Sequence, residues 1–502
     1  MTLVSGVRRV IVALVVCLLL AVTACTNSSS PESSAGPESS RPNIVFVLTD
    51  DLATNLVQYL PHVQAMEKAG MSFSNYSVTD SLCCPSRSSI FTGQFPHNTG
   101  VFTNSPPDGG YTAFQNGDDA ARTYATALHD QGYRTGLMGK YLNGFPVPGP
   151  GKPDPGTLPV PPGWDEWDVA GNGYPEFAYT LDENGHRTTH GKKPEDYLTD
   201  VVSGKAADFV KSAAQDGKPF VLETATFAPH GPYTPAPRDR DKFPGLRAPR
   251  EPTFNQVPTD APPWLAQQAA NPLTPDQIGK IDQAFRKRAQ AVQAVDAMIG
   301  RLQDTLRATG QDRNTYFVFS SDNGYHLGDY RLNPGKQTAF DTDVHVPLVI
   351  TGPGVPAGRT TPAVASNIDL APTFEQLSGA APLPTVDGRS LVPLLQGQTP
   401  PGQPAAALVE HHGPDTDPKD PDKPRANSGN PPSYEALRTA QSTYVEYADG
   451  SHEFYDRAKD PDELHNVYNG LSQEIKDKLH RQAVAMKQCK GTAACTQAAQ
   501  AG

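Results

Sequence analysis

Apolar and polar positions along the chain follow two periods. Asn43-Ile44-Val45-Phe46-Val47-Leu48-Thr49 is an unbroken β-branched and aromatic run of strand length, entered from Arg41-Pro42. Tyr133–Met138, Pro219–Phe227 and Tyr316–Ser321 have the same character. Between them the period lengthens, and Thr123–Gln131 and Asp196–Gln215 read as helices. The longest helix opens at Thr274-Pro275, with Thr274 as N-cap and Pro275 at the first helical position. Ile278, Ile281, Phe285, Val292, Val295, Ile299, Leu302 and Leu306 fall on one face, and Gly310 closes it. That stripe is core-facing scaffold. Tyr444–Tyr455 reads as a hairpin turning at Asp449-Gly450, and a helix from about Ser472 to Lys487 ends the fold. The pattern is that of an α/β protein.

The ends of these strands carry the polar residues that matter. The first strand runs into Asp50-Asp51. Two carboxylates there cannot sit in a core unpaired, and in open α/β sheets that edge is where ligands bind. They are a divalent-cation site or a helix-capping pair. The second strand ends in Gly139-Lys140-Tyr141-Leu142-Asn143, and the third in Ala228-Pro229-His230-Gly231-Pro232. The fourth ends in Asp322-Asn323-Gly324-Tyr325-His326, with Lys336 ten residues further on. His326 is placed to line the pocket or to pack; His345, leading a buried stretch, reads as structural.

Composition narrows the classes. With 502 residues the chain has room for one large domain and a smaller one. The net charge of −12 excludes nucleic acid as a partner and gives no overall field attracting an anionic substrate. Any attraction for anions must come from local Lys, Arg and metal.

Ser81-Leu82-Cys83-Cys84-Pro85-Ser86-Arg87-Ser88-Ser89-Ile90-Phe91-Thr92-Gly93 contains Cys-x-Pro-Ser-Arg followed by Thr-Gly. It resembles the signature of the type I sulfatases. Cys83 has Pro85 two places on and Arg87 four places on, so Cys83 is the residue the resemblance marks for oxidation to formylglycine. Hydrated formylglycine has two geminal hydroxyls: one attacks the sulfur of a sulfate ester, and the other, deprotonated, expels sulfate as the carbonyl re-forms. Pro85-Ser86-Arg87 reads as a helix start whose positive end faces that nucleophile.

The resemblance runs from about Asn43 to Cys489–Cys495. It implies an alkaline-phosphatase-like sulfatase fold: a large mixed central sheet flanked by helices, plus a smaller C-terminal α+β subdomain. The implied catalytic set is Cys83, Arg87, Lys140, His230 and Lys336. The implied metal set is Asp50, Asp51, Asp322, Asn323 and the modified Cys83, an all-oxygen group that suits Ca²⁺ and leaves Mg²⁺ open. Many family members have a histidine two or three residues after the lysine; here Leu142 and Asn143 stand there, which makes Asn143, with His326, a candidate substrate contact. Cys83-Cys84-Pro85-Ser86-Arg87, Gly139-Lys140-Tyr141-Leu142-Asn143, Ala284-Phe285-Arg286-Lys287-Arg288 and Ser321-Asp322-Asn323-Gly324-Tyr325-His326 resemble the N-acetylglucosamine-6-sulfatase and extracellular heparan endosulfatase branch. Its substrates are sulfated sugars and glycans, and its maturation needs a formylglycine-generating enzyme. A phosphomonoester or phosphonate hydrolase on the same scaffold, and a surface glycan-binding lipoprotein whose Cys83 is never converted, are the alternatives.

The two ends complete the expectation. Arg8 and Arg9 precede an apolar run from Val10 to Leu20, too short for a comfortable membrane span, and then Val22-Thr23-Ala24-Cys25. Residues 1–25 resemble a lipoprotein signal with Cys25 as the lipidated residue; an ordinary secretory signal is the alternative. Residues 26–40 form a Ser/Pro-rich tether. The chain reads as exported, and as anchored to the membrane by lipid or secreted. Residues 41–398 are then the catalytic domain and 399–502 the C-terminal subdomain. Pro400–Pro432 is a polar insertion whose Glu410-His411-His412 lacks further spaced ligands and reads as substrate contact or plain surface. Cys489 and Cys495 are placed for a small loop-closing disulfide in an oxidising compartment.

Overall fold

The computed structural model describes residues 41–500, except 154, 155, 400, 401, 419 and 421. The leader, the lipobox cysteine Cys25 and the tether lie outside the described residues. Among the described residues, ten strands form one mixed sheet. They are β1 Asn43–Thr49, β2 Met71–Ser77, β3 Arg134–Gly139, β4 Glu166–Ala170, β5 Thr180–Glu183, β6 His186–Thr189, β7 Phe220–Ala225, β8 Thr315–Ser321, β9 Leu348–Thr351 and β10 Arg359–Ser366. Their spatial order is β10-β2-β9-β8-β1-β7-β3-β4-β5-β6. A second, antiparallel sheet holds β11 Ala406–His411, β12 Tyr434–Thr439, β13 Ser442–Tyr447 and β14 His452–Asp456.

β1 lies near the centre, parallel to β7 on one side and β8 on the other, and β7 is in turn parallel to β3. The C-terminal ends of β1, β3, β7 and β8 therefore open on one edge. Every residue of β1 is buried, as expected of a parallel strand covered on both faces. Its side chains alternate between two cores. Ile44, Phe46 and Leu48 pack in a cluster with Ile90, Phe91, Tyr124 and Phe374. Val45 and Val47 pack in another with Phe209, Phe285, Val292 and Val295.

The helix Pro275–Ala308 carries the apolar stripe, capped by Thr274, whose hydroxyl accepts from the Gln277 amide. Its last residue is Ala308, Thr309 caps it, and Gly310 at φ 72 closes it as expected. The signature helix spans Cys83–Thr92, two residues earlier than the proline suggests, and all ten of its residues are buried. Gly93 ends it at φ 67, a left-handed conformation that a Cβ would strain. The helix Gln473–Lys487, capped by Ser472, is followed by a further helix, Thr492–Gln500. The expectation that the fold ends at Lys487 is corrected by this segment, which covers the apolar patch formed by Leu408, Leu437 and Ala483.

Candidate active site

Four strand ends and one helix start build the site. β1 delivers Asp50 and Asp51. Strand alternation would send successive side chains to opposite faces, but Asp51 sits at φ 63 and breaks the alternation where the strand stops. β3 ends at Gly139, at φ 108, where a Cβ would lie 1.9 Å from the Ala225 carbonyl oxygen. Only glycine allows that approach, and Lys140 follows directly. Past β7 the loop carries His230, and past β8 come Asp322 and Asn323.

The side chains converge on Cys83. Its Sγ lies 3.3 Å from Asp50 Oδ1 and 2.9 Å from Lys336 Nζ. Lys140 Nζ donates to Asp50 Oδ2 at 2.6 Å. Lys336 Nζ and Asn323 Nδ2 both donate to Asp51 Oδ1 at 2.7 Å. Arg87 Nε donates to Asp322 Oδ2 at 2.8 Å, and its Nη1 to the Lys140 carbonyl at 3.2 Å. Ligand atoms of Asp50, Asp51, Cys83 and His230 all lie within 4.8 Å of one another. All of these side chains are buried.

Charge explains how they stay there. Burial alone would raise Asp50, but Lys140, His230, Arg87 and Lys336 hold it far below the ordinary carboxylate range. Asp322 goes the other way, raised by burial and by the Asp50 charge, with Arg87 only partly offsetting them. Burial would lower His230, yet Asp51, Asp422 and Asp50 push it up to about 9. Geometry agrees. His230 Nδ1 faces the Gly231 carbonyl oxygen at 2.8 Å and Nε2 faces the Asp422 carboxylate at 2.5 Å, an arrangement of two acceptors that an imidazolium satisfies. Burial, then Asp422 and Asp50, push the Cys83 thiol well up, so an unmodified Cys83 is a protonated thiol and a poor nucleophile.

The donor set fits a hard divalent cation. Asn323 Oδ1 is buried without a hydrogen-bond partner, and Asp322 is raised by burial and then by the Asp50 charge. A cation held by Asp50, Asp51, Asp322 and Asn323 would satisfy the orphaned amide oxygen and relieve the carboxylate repulsion.

Two residues were missed in the sequence. Asp422 belongs to the insertion read as polar surface, and its Oδ1 lies 3.0 Å from Lys336 Nζ as well as on His230. Burial opposes its charge, but Lys336 and His230 hold it well below the ordinary range. Arg288 sits in the long helix, within the Ala284–Arg288 stretch that carries the branch resemblance but was given no role at the site. Fully buried, it donates to the Asp51 and Pro229 carbonyls and stacks on Tyr325 at 4.2 Å.

Other candidates fall elsewhere. His326 does not line the cleft: it is wholly buried, with Nδ1 3.0 Å from both Asp343 oxygens, because a bridge to Gly335 folds it beneath the wall. Asn143 lines a separate cavity of about 270 Å³ beside Lys140, with Nδ2 on the Tyr174 hydroxyl at 3.3 Å. His411 and His412 diverge. His411 is buried 3.8 Å from Asp80, and burial pushes it down to about 3, which corrects its reading as surface or substrate contact. His412 stacks on Phe102 at 3.6 Å. Cys489 and Cys495 are joined. Cys84 is a buried free thiol beside the site.

A cleft of about 730 Å³ opens above Asp51, His230 and Lys336, with Lys280, Lys287 and Arg425 on its margin. That volume accommodates a sugar-sized ligand.

The sulfatase family model matches residues 42–380. This chain belongs to the sulfatase family. It is 34% identical to human N-acetylglucosamine-6-sulfatase over 90% of this chain and 85% of that protein. It is 35% identical to an extracellular sulfatase homologue of Drosophila melanogaster over 71% of this chain, although only 31% of that longer protein is covered. Its fold is shared with a solved protein in complex with its substrate D-glucosamine-2-N,6-O-disulfate, at a TM-score of 0.73 and 23% identity, over 89% of this chain and 98% of that one. The sulfatase is therefore a sulfuric ester hydrolase by family, with the large mixed sheet and small C-terminal sheet of that fold.

Proposed function

We propose that this sulfatase removes 6-O-sulfate from N-acetylglucosamine in sulfated glycans, using a formylglycine made from Cys83 and a divalent cation, Ca²⁺ by its donor set. The observation that carries the reading is the convergence of Lys140, His230 and Lys336 on Cys83 beside four oxygen-bearing side chains, in a chain one-third identical to N-acetylglucosamine-6-sulfatases. An aldehyde hydrate at position 83 would supply the hydroxyl that takes the sulfuryl group, and a cation held by Asp50, Asp51, Asp322 and Asn323 would polarise the sulfate.

The chain's own residues do the rest. Lys140 and Lys336 bring two positive charges to the position the sulfate oxygens occupy, where low dielectric makes preorganised charge effective. Arg87 fixes Asp322 and ties the signature helix to the β3 end. His230, an imidazolium, donates a proton from Nε2 to the sugar oxygen as the S–O bond breaks, and the neutral ring then accepts one. Arg288 holds the Asp51 backbone, which fixes where that carboxylate points. Cys83 has no exposed surface, so a formylglycine-generating enzyme must reach it before the chain closes.

Export fits this reading. A leader and lipobox would carry the enzyme to the outer face of the membrane and anchor it through lipidated Cys25, or release it. No helix among the described residues is long and apolar enough to cross a membrane.

The test is product release. The protein, co-produced with a formylglycine-generating enzyme, is incubated with N-acetylglucosamine 6-sulfate, its 6-phosphate and a matched phosphonate monoester. Inorganic sulfate should appear, far faster than phosphate or phosphonate products. Cleavage of only the phosphorus esters would overturn the assignment.

A further inference from the structure

Asp422 comes from a segment more than 300 positions away from the signature, yet its side chain is only 3% exposed and lies on the nucleophile. Oδ1 is 2.5 Å from His230 Nε2 and 3.0 Å from Lys336 Nζ. Oδ2 is 2.8 Å from Asn104 Nδ2 and 3.5 Å from Cys83 Sγ. Its carboxylate oxygens are taken up by Lys336, His230 and Asn104. Its charged partners are the cations that face the nucleophile.

We propose that Asp422 occupies the anion-binding position itself, competing with the substrate's sulfate for Lys336 and His230, and so selects against anions that offer nothing but charge. The inference rests on the reading that sulfate binds among Lys140, His230 and Lys336. Sterics support it first. A sulfuryl group attacked from position 83 must come into contact with that residue, and Asp422 Oδ2 already fills the space 3.5 Å from Sγ. The carboxylate and the sulfuryl group exclude one another. Electrostatics support it second. Lys336 is buried between two carboxylates, Asp51 at 2.7 Å and Asp422 at 3.0 Å, and Asp422 is the one that also takes up His230 Nε2 in the free enzyme. A sulfate that arrives alone must replace contacts already made. A sulfated sugar adds contacts along the cleft and can displace the carboxylate, so the competitor discriminates through the difference in affinity between the two ligands.

The experiment uses the full chain, and its first readout, sulfate binding, needs no turnover. Binding of inorganic sulfate to wild type, Asp422→Asn and Asp422→Glu is measured by calorimetry, with bound metal quantified in each sample. Asp422→Asn removes the competing charge and keeps the shape. Its Kd for sulfate should fall about tenfold or more, equivalent to roughly 1.4 kcal/mol, and its KM for a small aryl sulfate should fall with it. Asp422→Glu keeps the charge and should bind sulfate as weakly as wild type. Unchanged or weaker sulfate binding by Asp422→Asn overturns the inference, as does loss of its metal, which would make Asp422 a ligand. If wild type cleaves sulfate esters but Asp422→Asn binds sulfate no tighter, only this inference fails. If neither protein binds sulfate or cleaves its esters, the sulfatase reading of the site fails with it.

Discussion

The two walls of the cleft reach the same buried pocket by different means. One wall is a row of strand ends, where each polar residue stands at or just past the end of a buried strand, and backbone geometry sets its position: a left-handed Asp51, a glycine at 139. The other wall is the segment between β11 and β12 that delivers Asp422, and its described residues form no helix or strand. The first wall holds the groups that would perform the reaction. The second holds a group whose charge matches the substrate's. A rigid sheet edge suits catalytic groups because it holds distances; an irregular segment suits a group that must leave its place when substrate enters.

Substitutions on the two walls should therefore move activity in opposite directions. The largest loss should follow Asp322→Asn, which takes a carboxylate from both the cation set and Arg87. Elemental analysis should show the cation gone and sulfate release gone with it; full metal content would refute the ligand assignment. His230→Ala should slow sulfate release from the sugar ester by about 10²–10⁴-fold, the usual worth of a placed proton donor. The loss should be much smaller on an aryl sulfate whose leaving group needs no proton, and equal losses on both would contradict the donor role. Asp422→Asn on the opposite wall should tighten sulfate binding. Loss of affinity on both walls would erase the distinction.

Away from the cleft the expected effects are on stability. Replacing Cys489 and Cys495 by serine should cost about 2 kcal/mol, the entropy of a short closed loop, read as a lower melting temperature with catalysis retained. The smallest effect is on pH dependence. Burial pushes Glu176 up to about 8, and Glu223, Glu375 and Glu453 up to about 7. These carboxyls keep protons in the folded state that the unfolded chain gives up above its ordinary carboxyl pKa. Their contribution is complete below that point and is lost as pH rises through the folded values. Thermal stability should decline between about pH 5 and pH 8, and Glu176→Gln, which needs no proton, should flatten the upper part of that decline. Melting curves across the range check it.

What the sequence disclosed follows the same division. β1 and β8 were legible because a continuous apolar run is buried, and the polar residue after it must then stand at an edge; β3 and β7 are shorter apolar stretches bounded by Gly and Pro. Lys140 and His230 were marked by the resemblance to the sulfatases at those strand ends, whereas Asp50 and Asp322 stood out as the residues after the two continuous runs. Asp422 did not, since the insertion offers Asp415, Asp417, Asp420 and Asp422 among prolines with no period to say which one turns inward. Arg288 was hidden inside an apolar stripe. His326 was misplaced because position along a loop does not reveal a bridge to Gly335 that turns it under. β5 and β6, four residues each, are too short to separate from loop by pattern alone.

The central claim is that Cys83 works as an aldehyde and not as a thiol. The direct measurement is the mass of the peptide spanning Cys83, taken from the same preparation whose sulfate release is assayed. The account predicts formylglycine at position 83, with sulfate release rising in proportion to the converted fraction. Undiminished sulfate release from protein whose Cys83 remains entirely a thiol would contradict it.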